Sequence, residues 1–286
     1  MTVQKWLLYV STSAFVSILA SPAFADCSAV PGWKSLQTAL EDVVAAGGNG
    51  GLGFNMWGTL VADDGTVCAV AFSGSRYTDQ WLGSRVISAQ KANTANAFSL
   101  GKGSTPGSSL FGSNGLALST ANLFTAVQPG GSLYGLQHSN PVAPAIAYGD
   151  VERGPESALT FGTSNDPMVG LRVGGVNVFG GGLALYQGGI RVGGLGVSGD
   201  TSCTDHMVAW RVRNALGLDS FSGVPGVSGD ATRPDNIIFD IGANPDGTGG
   251  TGQAPNGTGG VGQSASGFGH PKCLNNPNPA SLPTVH

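Results

Sequence analysis

Two glycine-marked turns constrain this chain more than any other feature. Asp63-Asp64-Gly65-Thr66 lies between the apolar runs Thr59–Ala62 and Val67–Phe72. Gln187-Gly188-Gly189 lies between Leu183–Tyr186 and Ile190–Val197. Glycine between two apolar runs reverses a strand on itself, because it adopts the positive φ that tight turns demand. Both segments therefore predict β-hairpins, over Gly58–Phe72 and Gly182–Val197. Hairpins pair antiparallel, whereas a doubly wound sheet needs crossover helices between parallel strands. The predicted class is α+β, an antiparallel sheet flanked by helices. Gly193, Gly194 and Gly196 strip side chains from the last strand, which predicts close approach by a ligand or by a neighbouring element.

Three segments carry helical periodicity. In residues 28–46, Trp33, Leu36, Leu40, Val43 and Val44 share one face, and Gly47-Gly48 end the run. In Arg85–Phe98 the buried face is Ile87, Ala89, Ala92, Ala95 and Phe98, small enough to sit close to a sheet or another subunit. The third helix opens at Ser202-Cys203-Thr204-Asp205, which reads as a capping box with Ser202 as N-cap. Val208, Val212, Ala215 and Leu216 form its stripe, and Gly217 is placed to end it. Ile237–Ile241 predicts one more strand. Residues 101–178 hold turn residues and scattered aromatics, and read as a long loop-rich insertion. Residues 242–286 read as a low-complexity Gly/Asn/Pro-rich tail, flexible by composition over 242–269, with Cys27 and Cys273 placed to tie the two ends to the body. The folded domain is thus expected over 26–241.

Composition narrows the function. The chain has 286 residues, 48 of them Gly and 16 Pro, and only 10% are charged. A formal charge of −4 excludes a nucleic-acid binder, since no basic patch is large enough to neutralise many phosphates. Residues 1–25 read as a secretory signal peptide: Lys5, an apolar stretch Trp6–Leu19, then Ala23-Phe24-Ala25. An uncleaved N-terminal anchor is the alternative. No later stretch holds 18 uninterrupted apolar residues, so no transmembrane span is expected in a mature chain, which would be periplasmic or secreted. An oxidising compartment makes Cys27, Cys68, Cys203 and Cys273 candidates for two disulfides, with three connectivities open. The spacing Cys203-x-x-His206 offers a metal site as the rival reading.

Gly194-Leu195-Gly196-Val197-Ser198-Gly199 spells a dinucleotide-binding fingerprint, but the hairpin before it argues against one. Backbone N–H groups near Ser202 could instead receive an anion at the helix start, or Ser202 simply caps the helix. His206 is a candidate ligand for a metal or haem iron, and His138 a second candidate inside the insertion. Arg85 and Lys91 are candidates for an anionic ligand, with a structural ion pair as the bland alternative. Trp57, Tyr77, Trp81 and Trp210 could line an apolar pocket or belong to the core.

Two ordered blocks carry a resemblance. Arg85-Val-Ile-Ser-Ala-Gln-Lys-Ala-Asn-Thr-Ala-Asn-Ala-Phe98, following Asp63-Asp64-Gly65, resembles the A-x-x-K-A-x-T-A helix and hairpin of the GlcG/HbpS-like (haem-degrading, DUF336) family. Gly181–Gly199 with Asp205–Ala209 resembles that family's G-G-x-P…I-G-V-S-G…D-x-x-x-A end. The blocks span roughly residues 55–100 and 173–218. The resemblance implies a profilin-like fold, assembly into oligomers and, in some relatives, haem or iron binding. The chain departs at Ala184, where the family pattern has Pro, and in having no His in the first helix. Two functional readings follow. One is an exported small-ligand-binding protein for haem or a related tetrapyrrole. The other is a structural or accessory subunit of a cell-envelope complex, without catalytic activity. Either would work as a homo-oligomer or with a protein partner.

Overall fold

A computed structural model describes residues 27–104, 114–150, 152, 156–242 and 263–286. The expected leader, 1–25, lies outside these residues, as does 243–262 of the expected tail. In chain order the elements are α1 (Trp33–Ala46), β1 (Trp57–Ala62), β2 (Val67–Phe72), α2 (Ser84–Ala97), α3 (Leu136–Ser139), α4 (Pro144–Tyr148), β3 (Gly182–Gln187), β4 (Ile190–Ser198) and α5 (Ser202–Ala215), joined by loops and short 3₁₀ turns.

The strands form one antiparallel sheet in the order β2-β1-β4-β3. Both hairpins are present, and Gly65, Gly188 and Gly189 take the positive φ that the reversals need. The central pair joins the hairpins, with Trp57 opposite Ser198 and Ala62 opposite Gly193. Strand alternation then sorts the core. Leu60, Ala69, Ala71, Leu183, Leu185, Leu195 and Val197 pack against Leu36 and Leu40 of α1 and Met207, Val208 and Val212 of α5. Trp57, Val61, Val67 and Val70 pack against Val86, Ala89 and Ala92 of α2. The sheet is therefore a middle layer between α1 with α5 and α2 with the segment that follows it.

Of the strand glycines, Gly194 and Gly196 face α2, whereas a Cβ on Gly193 would meet the Val61 carbonyl of β1. A Cβ on Gly196 would lie 1.9 Å from the Ser88 carbonyl oxygen, and one on Gly194 2.2 Å from that of Ala92. The neighbour that these glycines admit is helix backbone. This contact and the antiparallel pairing of β4 on both edges also rule out the dinucleotide fingerprint as a phosphate loop, because no crossover places a helix after a parallel strand here.

The disulfides are Cys27–Cys68 and Cys203–Cys273. The first ties the segment before α1 to β2, and the second ties the C-terminal segment to α5. That segment departs from its composition. Residues 263–286 lie against the body instead of hanging free: Leu282 is buried, Trp210 Nε1 donates to the Pro283 carbonyl at 3.0 Å, and Phe221 N–H donates to that of His286 at 2.7 Å. Backbone and disulfide bonds, which composition does not register, hold it there. Ile237–Ile241 forms no strand and makes one isolated bridge, Ile241 to Ser264. The N-cap of α5 is Thr201, not Ser202, and its hydroxyl accepts from Thr204 N–H.

Gly196→Ala should force α2 off the sheet and cost about 3 kcal/mol or more, the upper range for overpacking. Gly83→Ala is the control, since it meets nothing within 4 Å and has φ −60°. Urea midpoints measure both; equal midpoints would mean that the close seat is not needed.

Candidate functional site

The alanine face of α2 lies low on the sheet, which brings its one lysine to the start of α5. Lys91 is fully buried. Its ammonium donates to Asp205 Oδ2 at 2.7 Å and to the Val197 carbonyl at 3.1 Å, and stands over the Phe179 ring at 4.5 Å. Asp205 Oδ1 accepts the N–H groups of Gly199 and Asp200 at 3.1 and 2.9 Å. Asp200 in turn accepts from Leu52, Phe54 and Thr201 N–H. The seat for an anion expected near Ser202 is therefore taken by the chain's own carboxylates. Burial pushes Asp205 up to about 6 and the Lys91 ammonium down from its usual range, while their attraction opposes both shifts.

Ser202 and His206 belong to the same region. The Ser202 hydroxyl faces His270 Nε2 at 3.2 Å and the Cys273 sulfur at 3.6 Å. His206 points inward, not to solvent. Its Nε2 accepts from Ile237 N–H at 3.2 Å, its Nδ1 is buried without a partner, and the ring lies beside Trp210. Burial, reinforced by Arg213, pushes it down to about 3. Cys203 is bonded to Cys273, so the Cys203-x-x-His206 spacing does not bring a free thiol to this imidazole.

Arg85 lies elsewhere, at the start of α2. It forms a buried two-pronged pair with Asp166 at 2.9 and 2.5 Å, reaches Glu156 at 3.5 Å and stacks on Phe161. The pair clamps segment 156–168 onto α2. His138 stands apart again, on α3, exposed and with no side-chain hydrogen bond among the described residues; Leu133 and Tyr134, just before α3, are exposed too. Trp57 and Trp210 are core residues, Tyr77 is partly buried and Trp81 is exposed.

Sequence reasoning missed three residues with chemical weight. His270, treated as a tail residue, is 2% exposed, and burial pushes it down to about 4. Arg213 and Asp235 form a fully buried pair at 2.6 and 2.9 Å, with Arg213 packed against Trp210 and Phe221. No local motif marks any of the three, because the side chains they meet lie at least 22 residues away in the chain.

A cavity of about 120 Å³ lies between Gly47–Gly50, Phe54, Met56, Thr204 and Val208. A surface groove of about 330 Å³ follows residues 223–234. Lys91, Arg85, Ser202, His206 and His138 line neither. The first is well below the ~300–1,000 Å³ that small-molecule sites usually need.

Comparison with known proteins follows this geometry. No protein-family model matches the chain, and no curated protein matches it. Solved structures similar to it include Klebsiella pneumoniae protein ORFY, of the DUF336 family, at 20% identity and TM-score 0.39, covering 64% of this chain and 86% of that one. PduOC in complex with haem is similar at 23% identity and TM-score 0.41, covering 65% and 93%. A double mutant of Streptomyces reticuli HbpS is similar at 15% identity and TM-score 0.35, covering 73% and 99%.

Two measurements probe this region. Lys91→Met leaves Asp205 buried without its partner and should cost roughly 3–5 kcal/mol, read by urea unfolding. Adding Asp205→Asn, which removes the charge and keeps an acceptor for Gly199 and Asp200 N–H, should recover part of that loss, and a deeper loss would contradict the pairing. The buried histidines set an acid limit. The unfolded chain binds their protons near pH 6.5, the folded chain only near 3 to 4, so stability should fall as pH drops below about 6.5. Asp205 acts oppositely between pH 6 and 3.8, gaining its proton first in the folded state. His206→Gln keeps an acceptor for Ile237 N–H and removes one titration. Its urea midpoint should vary less between pH 6.5 and 4 than that of the parent, and an unchanged slope would overturn the assignment.

Proposed function

We propose that this chain is an exported, non-catalytic binding protein for haem or a related tetrapyrrole, and that the ligand attaches at the surface through His138. The reading begins from the two blocks of family resemblance. In this fold those blocks are occupied with packing: α2 lies on the strand glycines, and Lys91 is paired with Asp205. A planar macrocycle does not fit among Lys91, Ser202 and His206, which are enclosed and engaged. His138 does fit. It is the one nominated side chain that is exposed and has no side-chain hydrogen bond among the described residues, and exposed Leu133 and Tyr134 stand four to five residues before it in the chain. Haem iron takes an imidazole nitrogen as axial ligand. The role of this chain is to present that nitrogen on a rigid body. Two disulfides favour an oxidising compartment, in keeping with the leader-like N-terminus. Among the described residues no helix is long and apolar enough to cross a membrane.

One observation favours the structural or accessory alternative. Leu52, Phe54, Trp81 and Leu82 are each 41–55% exposed, and Phe54 meets Trp81 edge-on. Exposed apolar residues of this size suit a protein partner or a second copy.

Titration of haemin into the disulfide-intact chain should give a shifted Soret band at one equivalent. His138→Ala should weaken binding at least tenfold, while His206→Ala should lower stability and leave the band. No shift in the parent, or full binding by His138→Ala, would overturn the haem reading. Stable co-purification of a partner, lost on Trp81→Ser, would then support the alternative.

A further inference from the structure

The C-terminal segment brings a second set of soft ligands to α5. His270 Nδ1 lies 3.9 Å from Cys203 Sγ. One ligand atom from each of Cys203, His270 and Cys273 falls within 4.8 Å of the other two. Tetrahedral zinc with sulfur at ~2.3 Å and nitrogen at ~2.0 Å needs its ligands roughly 3.5–3.8 Å apart; the His270–Cys203 pair is already near that distance, whereas the two bonded sulfurs must separate on reduction to reach it. The sulfurs are joined in the present form and are poor ligands while they remain so.

The surroundings favour reduced sulfur at this place. Cys203 N–H, in the first turn of the 14-residue α5, donates to Cys273 Sγ at 3.2 Å. A helix N-terminus and a direct N–H donor both stabilise a thiolate. Cys273 is partly exposed, which opens the bond to a small reductant, whereas Cys203 and His270 are buried. The Ser202 hydroxyl stands 3.2 Å from His270 Nε2. His270 Nδ1 now donates to the Pro271 carbonyl at 2.7 Å, and Nε2 accepts from Gly180 N–H at 3.4 Å. Ligation through Nδ1 gives up the first bond and moves the ring proton to Nε2, where it displaces the Gly180 contact and Ser202 Oγ accepts it, as outer partners of metal-bound histidine do. Among the described residues, Cys27–Cys68 belongs to no such cluster and is a built-in comparison.

We propose that Cys203–Cys273, once reduced, forms with His270 a three-ligand site for a thiophilic cation of the Zn²⁺ type, so that this locus alternates between a disulfide clamp and a metal clamp. A dithiol supplies two electrons and two protons and is itself oxidised to a disulfide. The S–S bond breaks to give two thiols. The cation then displaces both thiol protons, forms two metal–thiolate bonds and takes the neutral imidazole nitrogen as third ligand, leaving one position for solvent. In both states the C-terminal segment stays tied to α5, which keeps Leu282 and Pro283 seated on Trp210.

The test uses the full chain, reduced with a dithiol, desalted without oxygen and titrated with Co²⁺ as the spectroscopic probe for Zn²⁺. One Co²⁺ per chain should bind, with sulfur-to-cobalt charge-transfer bands and the visible bands of a tetrahedral site. The oxidised chain should show neither. Cys203→Ser should abolish the bands, His270→Ala should weaken binding at least tenfold, and the double variant Cys27→Ser with Cys68→Ser should bind as the parent does. Zn²⁺ should also slow alkylation of Cys203 and Cys273, but not of Cys27 and Cys68, by at least tenfold. If reduction unfolds the chain, Zn²⁺ should restore its circular dichroism. Absence of the bands, binding indifferent to Cys203 and His270, uniform alkylation, or failure of Zn²⁺ to refold an unfolded reduced chain would each overturn the site.

Discussion

The seat of α2 on β4 is the contact on which the rest of the molecule depends. With glycine at 194 and 196, helix carbonyls come to a distance from the strand that no side chain would tolerate. That approach needs small residues on the helix as well, and Ser88, Ala89, Ala92 and Ala95 provide them. Because α2 sits so low, the Thr59 hydroxyl meets that of Ser88 at 2.7 Å, and Lys91 reaches past the sheet to Asp205. A higher helix would leave Asp205 unpaired and free the turn between β4 and α5.

Charge is used sparingly and mostly as cross-bracing. Only 10% of residues are charged, yet among the described residues Lys91, Arg85 and Arg213 are all paired in the interior. Lys91–Asp205 joins α2 to α5, Arg85–Asp166 joins α2 to the segment after α4, and Arg213–Asp235 joins α5 to the loop that follows it. The last two each fix an irregular segment that has little regular hydrogen bonding of its own. Buried pairs add little net stability over apolar replacements, but they strongly penalise any arrangement that separates the partners. For a chain rich in loops and glycine, that penalty selects one packing among many.

The same economy shapes where function can reside. The residues shared with the GlcG/HbpS-like pattern do structural work here: glycines admit the helix, and the lysine and aspartate brace it. The exposed imidazole on α3 and the sulfur and nitrogen cluster where the C-terminal segment meets α5 both lie on segments around the sheet, and segments carried by a rigid scaffold are where binding residues concentrate.

Both hairpins, the three long helices and the antiparallel class were legible from the sequence, because turn glycines and apolar periodicity act within a few residues. The even cysteine count was legible too, but its pairing was not, since cross-links between positions 41 and 70 residues apart leave no local mark. Nor was the docking of residues 263–286: their composition promises flexibility, and only a disulfide and backbone bonds to distant loops reverse it. The candidate site shows the same division. Sequence named Arg85, Lys91, Ser202, His206 and His138 as chemically able groups. Tertiary structure alone decided that Arg85 and Lys91 are paired, that Ser202 and His206 face inward, and that His138 faces water. The reason is physical: a side chain's reactivity depends on its burial and its partners, and both are set by residues far away in the chain.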